Sequence, residues 1–393
     1  MEWKGHIVGG TIHLIAGARP NFMKIAPLYR KLADYPNIRT TVVHTGQHYD
    51  EKLSNIFFNE LDLPRPQVTL DVGSGSHARQ TGLIMARYEQ VVQREKPDIV
   101  VVVGDVNSTL ACALVSSKTM YPGSHRQRPL LAHVEAGLRS FDMTMPEEIN
   151  RLATDVLADL LFTTEPSAEQ NLRREGIAPE KIHFVGNVMI DTLLSHREKA
   201  RSGPVLGKLG LISRPYAICT LHRPANVDNK EKLEEILLAL REVGTTQPII
   251  VPLHPRTRKR IEQFELENLI TVESRLKPID PAVPLIGLPP LGYLDFLQLM
   301  SNAKLVLTDS GGIQEETTIL GVPCVTIREN TERPVTIETG TNVLAGTSYA
   351  GILSSIEPAF EKAAAQSGSP DKWDGRAAGR IAAVLATALG YTA

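Results

Sequence analysis

Short apolar runs rich in β-branched residues alternate along this chain with longer amphipathic stretches. Residues 11–16, 41–44, 99–103, 130–134, 160–163 and 182–185 are largely apolar or β-branched, which predicts strands covered on both faces. Between them the apolar residues shift to helical spacing. Ile25, Leu28, Leu32 and Ala33 recur after Lys24, and 106–120 and 149–157 repeat the pattern. Strand and helix in alternation predict an α/β chain with a mainly parallel sheet.

The alternation restarts at 216–221, 249–253, 269–272, 304–308 and 322–327, which predicts a second doubly wound domain. Gly176 and Pro179 interrupt the pattern and place the boundary near 177–181, with 202–204 as a rival. The expected domains are therefore 1–179 and 180–372. The last stretch, 373–389, carries Ile381, Val384, Leu385 and Leu389 on one stripe. It is expected to form a helix that crosses back onto the first domain.

Composition narrows the class. A chain of 393 residues exceeds the roughly 100–200 of one ordinary domain. Lys+Arg 42 against Asp+Glu 44, with 42% hydrophobic residues, argues against disorder and against nucleic-acid binding by bulk basic charge. Cys112, Cys219 and Cys324 sit among apolar neighbours, as reduced thiols in a cytoplasmic protein would. No apolar run reaches the ~18 residues of a membrane span, and no secretory start is expected.

In open parallel sheets ligands gather beyond the carboxyl ends of the strands. The residues following each apolar run are unusually polar. They are Gly17-Ala18-Arg19-Pro20, Thr45-Gly46-Gln47-His48, Gly104-Asp105 and Glu135-Ala136-Gly137-Leu138-Arg139 in the first half. In the second half they are His222-Arg223-Pro224, His254-Pro255-Arg256 and Asp309-Ser310-Gly311-Gly312. Glycines that open a helix suit a diphosphate, since backbone approaches the anion closely and free N–H groups point outward. Arg19 at a helix start opposes the dipole, which favours a ligand-facing role.

Plain structural roles stand beside these readings. Ser310 could simply cap its helix and Asp105 the helix after it. Glu135 could pair with Arg139, and His222 could be a satisfied core histidine. Glu147 and Glu148 behind Pro146 fit a helix first turn, with Glu148 expected as a surface acid complementing the dipole. No Gly-x-Gly-x-x-Gly dinucleotide fingerprint, Walker loop or Gly-x-Ser-x-Gly elbow is present, and His44 and His48 straddle a loop, so no zinc site is expected.

Taken in order, these blocks, with His133-Val134-Glu135-Ala136-Gly137, Pro146-Glu147-Glu148-Ile149-Asn150-Arg151, Leu221-His222-Arg223, Thr308 to Glu316 and Thr331-Glu332-Arg333-Pro334, resemble the non-hydrolysing UDP-N-acetylglucosamine 2-epimerase family. The resemblance spans nearly the whole chain. It implies two Rossmann-like domains facing a central cleft, the GT-B arrangement. It further implies interconversion of UDP-N-acetylglucosamine and UDP-N-acetylmannosamine for surface polysaccharide precursors, in a homodimer without metal or nicotinamide cofactor. Carried over residue by residue, it assigns catalysis to Asp105, Glu135, Glu147 and His222. Arg19, Lys24, Ser310, Gly311, Gly312, Glu316 and Arg328 match positions that hold the nucleotide. The chain departs at Asn21, where many members have Glu, and at Tyr49-Asp50 beside the position where some members bind an activating second substrate.

Inverting carbon 2 of such a sugar means removing a hydrogen that no adjacent carbonyl acidifies. Elimination of UDP to 2-acetamidoglucal and re-addition is the expected route, with several carboxylates to serve two faces. A hydrolysing relative, an epimerase of a diacetamido-uronate sugar and a non-catalytic nucleotide-sugar sensor are the alternatives.

Overall fold

The computed structural model describes residues 9–47, 58, 60–123 and 127–391, with the side chain of Arg19 outside that set. The described residues fall into two compact units. One runs to Thr192 and resumes at Asp371, and the other is Leu193–Pro370.

The first unit is a seven-stranded sheet built from β1 (Gly10–Ala16), β2 (Ile38–His44), β3 (Val68–Thr69), β4 (Ile99–Val103), β5 (Leu130–Val134), β6 (Leu160–Thr163) and β7 (Ile182–Phe184). Its order is β3-β2-β1-β4-β5-β6-β7, and its paired strands are parallel. β4 reads Ile-Val-Val-Val-Val and is buried along its length, as a central parallel strand covered on both faces must be. The helices that matter to the site are α1 (Arg19–Leu32), α2 (His77–Glu95), α3 (Asn107–Lys118) and α4 (Pro146–Leu157). Strand order reverses between β1 and β4, which makes their carboxyl ends the switch point of this sheet.

The second unit repeats the design with β8 (Ala217–Thr220), β9 (Ile249–Pro252), β10 (Thr271–Val272), β11 (Leu285–Leu288), β12 (Leu305–Thr308), β13 (Cys324–Thr326) and β14 (Asn342–Leu344). The order is β10-β11-β9-β8-β12-β13-β14, again with parallel pairs. Here the switch point lies between β8 and β12. Leu237, Leu240, Ile249, Val251, Leu305, Leu307 and Val325 lie in one apolar cluster under the sheet. All three cysteines are buried and free, and no helix among the described residues is long and apolar enough to cross a membrane.

The division between units falls at Thr192/Leu193, not near 177–181 as the Gly176 and Pro179 break suggests. β7 is the reason. Its residues Ile182 to Phe184 pair with Leu161 to Thr163 of β6, so the segment after Pro179 completes the first sheet. The chain then continues through the helix Val188–Arg201, inside which the division lies.

The closing helix, Ala377–Ala388, packs on α1. Ile381, Leu385 and Leu389 of its stripe are buried. Its first turn is satisfied by Asp191, whose carboxylate accepts from the N–H groups of Ala377 and Ala378 at 3.1 and 2.7 Å. The approach to it is equally fixed. Trp373 is buried and its indole N–H donates to the Thr164 carbonyl at 2.9 Å, while a Cβ on Gly186 would lie 2.0 Å from the carbonyl oxygen of Lys372. Trp373→Ala removes a large buried ring and leaves that carbonyl unanswered, so it should cost the first unit about 3–5 kcal/mol. Urea unfolding followed by probes in each unit checks this; a loss below about 1 kcal/mol would contradict the anchoring role.

Candidate functional site

At the switch point of the first unit, β1 runs into Gly17-Ala18 and β4 into Gly104-Asp105. Asn21 ties the two ends together. Its side-chain oxygen accepts from the N–H groups of Gly17 and Ala18 at 3.0 and 2.9 Å, and its amide donates to the Val103 carbonyl at 3.2 Å. One turn on, Lys24 reaches over β4, and its ammonium meets the Glu135 carboxylate at 2.6 Å with both side chains almost wholly buried.

Gly104 makes that reach sterically possible. Its φ is +66°, and a Cβ there would sit 2.8 Å from Lys24 Nζ. Glu135 itself has φ +71°, a left-handed backbone that costs a non-glycine residue about 1–2 kcal/mol. It is held there by its own N–H and that of Ala136, which both donate to the Phe162 carbonyl at 3.1 Å. A carboxylate kept in a strained position at a strand end is a functional signal. The expected alternative partner, Arg139, pairs instead with Asp155 at 2.7 Å and Glu175 at 2.6 Å.

Asp105 does not cap the helix after it. The N-cap of α3 is Val106, with no side-chain cap, and the Asp105 carboxylate pairs with Arg151 of α4 at 2.5 Å. Glu148 lies on the other side of that guanidinium. It is buried, not a surface acid. It accepts from Arg151, from the N–H and hydroxyl of Ser140 at 3.0 and 3.1 Å, and from the Phe141 N–H at 2.9 Å. Burial works against its charge, but the Ser140 N–H, Arg151 and the Phe141 N–H outweigh it and hold the carboxyl below its usual range. Glu147, one residue earlier, is half-buried and engages no hydrogen bond or ion pair among the described residues. His133, on β5, spans from Asp155 at 2.6 Å to the Gly104 carbonyl at 2.8 Å, and so links α4 to the backbone just before Asp105.

At the switch point of the second unit, Asp309 does the work that Asn21 does in the first. The carboxylate accepts from the backbone N–H of His222 at 2.9 Å and of Arg223 at 2.8 Å, and from the His222 imidazole Nδ1 at 2.7 Å. Burial opposes the charge, yet His222 and these N–H groups bring the carboxyl down to about 2. His222 is no core histidine: its side chain is 42% exposed. Ser310 is the N-cap of α5 (Gly311–Leu320) but its side chain accepts no bond from the first turn, so the capping role is overturned.

Around that helix start lie Glu332 and three guanidiniums. Glu332 pairs with Arg328 at 2.7 Å, Arg223 at 3.4 Å and Arg333 at 3.6 Å. A Cβ on Gly311 would come within 2.8 Å of it. Burial again opposes ionisation, but Arg333, Arg328 and Arg223 keep the carboxyl well below its usual range. Arg328 is buried and its Nη1 has no hydrogen-bond partner among the described residues. Glu316, buried farther along α5, accepts from the Tyr293 hydroxyl at 3.0 Å; burial, with Glu315 adding repulsion, pushes its carboxyl up to about 8.

In the first unit, then, Lys24, Asp105 and Glu135 gather at one switch point with Glu147 on the adjoining helix. In the second, His222, Ser310, Gly311, Gly312 and Arg328 lie about another, with Glu316 farther along α5. Arg19 opens α1, but its side chain, like His48, Tyr49 and Asp50, lies outside the described residues. The sequence reading missed Arg151, Asp309 as the partner of His222, and Tyr293. Arg151 and Asp309 stand in the quoted motif blocks, but the partnership of Asp309 comes from the sheet, where β8 and β12 pair with Thr220 opposite Thr308 and put the residues after them side by side.

The profile of the family described as UDP-N-acetylglucosamine 2-epimerase matches residues 30–386. The UDP-N-acetylglucosamine 2-epimerase of Methanocaldococcus jannaschii is 44% identical over 356 residues, covering 89% of this chain and 92% of that protein. The UDP-2,3-diacetamido-2,3-dideoxy-D-glucuronate 2-epimerase of Pseudomonas aeruginosa is 39% identical over 95% of this chain and 98% of its own. Among solved structures, the Methanocaldococcus jannaschii enzyme in complex with UDP-GlcNAc and UDP superposes with a TM-score of 0.85 at 41% identity, covering 96% of this chain and 99% of that one.

The depressed value of Asp309 fixes a pH dependence. Because the folded state binds its proton less tightly than the ordinary 3.8, the stabilisation is fully present above that value and is lost as pH falls through about 2. The difference is worth roughly 2 kcal/mol. Asp309→Asn should remove this portion of the acid loss from the second unit's unfolding midpoint between pH 4 and 2. A variant with the full wild-type acid dependence would contradict the assignment.

Proposed function

Because the chain belongs to the UDP-N-acetylglucosamine 2-epimerase family, we propose that it interconverts UDP-N-acetylglucosamine and UDP-N-acetylmannosamine by eliminating and re-adding UDP, without hydrolysis. In the first step the bond between carbon 1 and the β-phosphate oxygen breaks, and its electron pair leaves with UDP. The proton on carbon 2 passes to a carboxylate, and a double bond forms between carbons 1 and 2. In the second step a proton is delivered to carbon 2 on the opposite face and UDP re-forms its bond to carbon 1.

The observation that carries this reading is the gathering of carboxylates in different settings at one switch point. Asp105 and Glu135 follow the paired strands β4 and β5, whereas Glu147 stands on the first turn of α4. Asp105 is in contact with Arg151 and Glu135 with Lys24, while Glu147 is half-buried and pairs with nothing among the described residues. Groups held differently suit a reaction that takes a proton from one face and returns one to the other. The leaving diphosphate calls for donors already in place. The start of α5 at Ser310 to Gly312, His222 fixed through Nδ1 by Asp309, and Arg328 are assigned to it, with Arg19 added from the family resemblance. Glu316 is assigned to the nucleotide's ribose and Lys24 to the substrate side of Glu135.

A second substrate has one observation in its favour, the Pseudomonas aeruginosa relative that acts on a diacetamido-uronate. Both UDP-sugars are therefore offered to the purified protein in deuterated water and followed by proton NMR. The expected product is the UDP-linked 2-epimer of UDP-N-acetylglucosamine, with deuterium at carbon 2. Free N-acetylmannosamine with UDP would establish the hydrolysing reaction instead, turnover of the uronate alone the other substrate, and no change a binding protein. Asp105→Asn, Glu135→Gln and Glu147→Gln should each lower turnover at least roughly 100-fold with the fold retained. Turnover within a few-fold of wild type in all three would remove the acid-base groups from the account.

A further inference from the structure

Arg151 is the largest fully buried side chain among the described residues, and it sits between two carboxylates. Nη1 meets Asp105 at 2.5 Å, while Nε and Nη2 meet Glu148 Oε2 at 2.9 and 2.5 Å. Nη2 also reaches the Ser140 hydroxyl at 3.3 Å. A planar fork can serve both acids at once, as a point charge on a flexible stem cannot. Glu148 in turn fixes the turn at Ser140-Phe141, where Phe141 has φ +57°. The amide of Asn150, the residue before Arg151, donates to the Asp105 carbonyl at 2.8 Å, so α4 holds Asp105 by backbone and side chain together.

We propose that Arg151 is a positioning residue: it keeps Asp105 ionised and aimed at the end of β4, and Glu148 keeps Arg151 in place. This rests on the reading of Asp105 as a proton carrier. A guanidinium buried this deeply with Glu148 is a poor device for stability alone, since desolvation offsets much of the attraction. Its advantage here is that the carboxylate's charge and direction are set before substrate arrives. Among the described residues, the other titratable groups near Asp105 include Lys24 and Glu135 beside Gly104, His133 beneath the Gly104 carbonyl, Glu148 behind Arg151, and Glu147 on the same helix. Arg151 touches its carboxylate from α4.

The test follows the titration of Asp105 directly and reads turnover beside it. Protein labelled with carboxyl ¹³C aspartate, with the Asp105 signal assigned from Asp105→Asn, is titrated as wild type, Arg151→Met and Arg151→Lys, and kcat and KM are measured across pH for each. Arg151→Met should raise the Asp105 midpoint by about one unit or more, as expected on losing an adjacent cation. The acid limb of kcat should move with it, and kcat should fall on the order of 100-fold while KM stays within about threefold. Arg151→Lys retains the charge and tests the bridging even if the Met variant fails to fold. It should keep the midpoint within about half a unit yet lose about tenfold in kcat, because an ammonium cannot span both acids. An unmoved midpoint in folded Arg151→Met, or full wild-type kcat in either variant, would overturn the proposal. A wild-type protein that turns over neither UDP-sugar would overturn the functional reading alone, since the midpoint shift would still stand or fall without substrate.

Discussion

Where two parallel strands end side by side and the chain departs in opposite directions, backbone N–H groups lose their ladder partners and something buried must answer them. The architecture of both units follows from how that demand is met. In the first unit the answer is neutral: Asn21 accepts from Gly17 and Ala18 and donates to Val103. In the second it is charged: Asp309 accepts from His222 and Arg223, and its charge also draws in the His222 imidazole. The difference sets the character of each site. A neutral tie leaves Lys24 and Arg151 to pair with acids, so carboxylates collect at the β1/β4 switch point. An anionic tie orients a histidine, and the helix start beyond it stands among guanidiniums.

Carboxylates near one another share charge unless their surroundings separate them. Here the surroundings do so through distinct cations. Lys24 meets Glu135 from α1, Arg151 meets Asp105 from α4, and Arg139 goes below to Asp155 and Glu175. Each is placed by an element that is itself tied down: α1 by the closing helix, α4 by the His133 link to Gly104. Left-handed backbone enters the site at Glu135 and at Phe141, the latter in the turn that Glu148 holds. Dense pairing of this sort makes the site stiff, and stiffness is what preorganised electrostatics requires.

Much of the fold was legible in the residues because long β-branched runs leave little choice. The strands Ile99–Val103, Leu130–Val134 and Leu160–Thr163 coincide with the expected bounds. The missed strands are those whose pattern is too short or too interrupted: Val68–Thr69 has two residues, Leu285–Leu288 contains Gly287, and Asn342–Leu344 begins with a polar residue. The domain boundary was misplaced because Gly176 and Pro179 mark a turn, and a turn inside a domain looks the same in sequence as one between domains. Positions of the site residues were legible since they follow strands. Their partners were not. Glu148 sits beside Glu147 in a helix first turn, and nothing local tells which of two adjacent acids faces inward; Arg151, three residues on, determines it. Ser310 and Asp105 have the chemistry of caps, and only the backbone shows that neither caps.

The central claim is that the bond between carbon 1 and the β-phosphate oxygen breaks on the way to the epimer. UDP-N-acetylglucosamine carrying ¹⁸O in that bridging position tests it most directly, because a freed β-phosphate rotates and presents any of its equivalent oxygens when the sugar bond re-forms. The account predicts that substrate and epimer recovered from wild-type protein show the label spread from the bridge into non-bridging positions, at a rate comparable to epimerisation. Epimer formed with the label wholly retained in the bridge would contradict elimination.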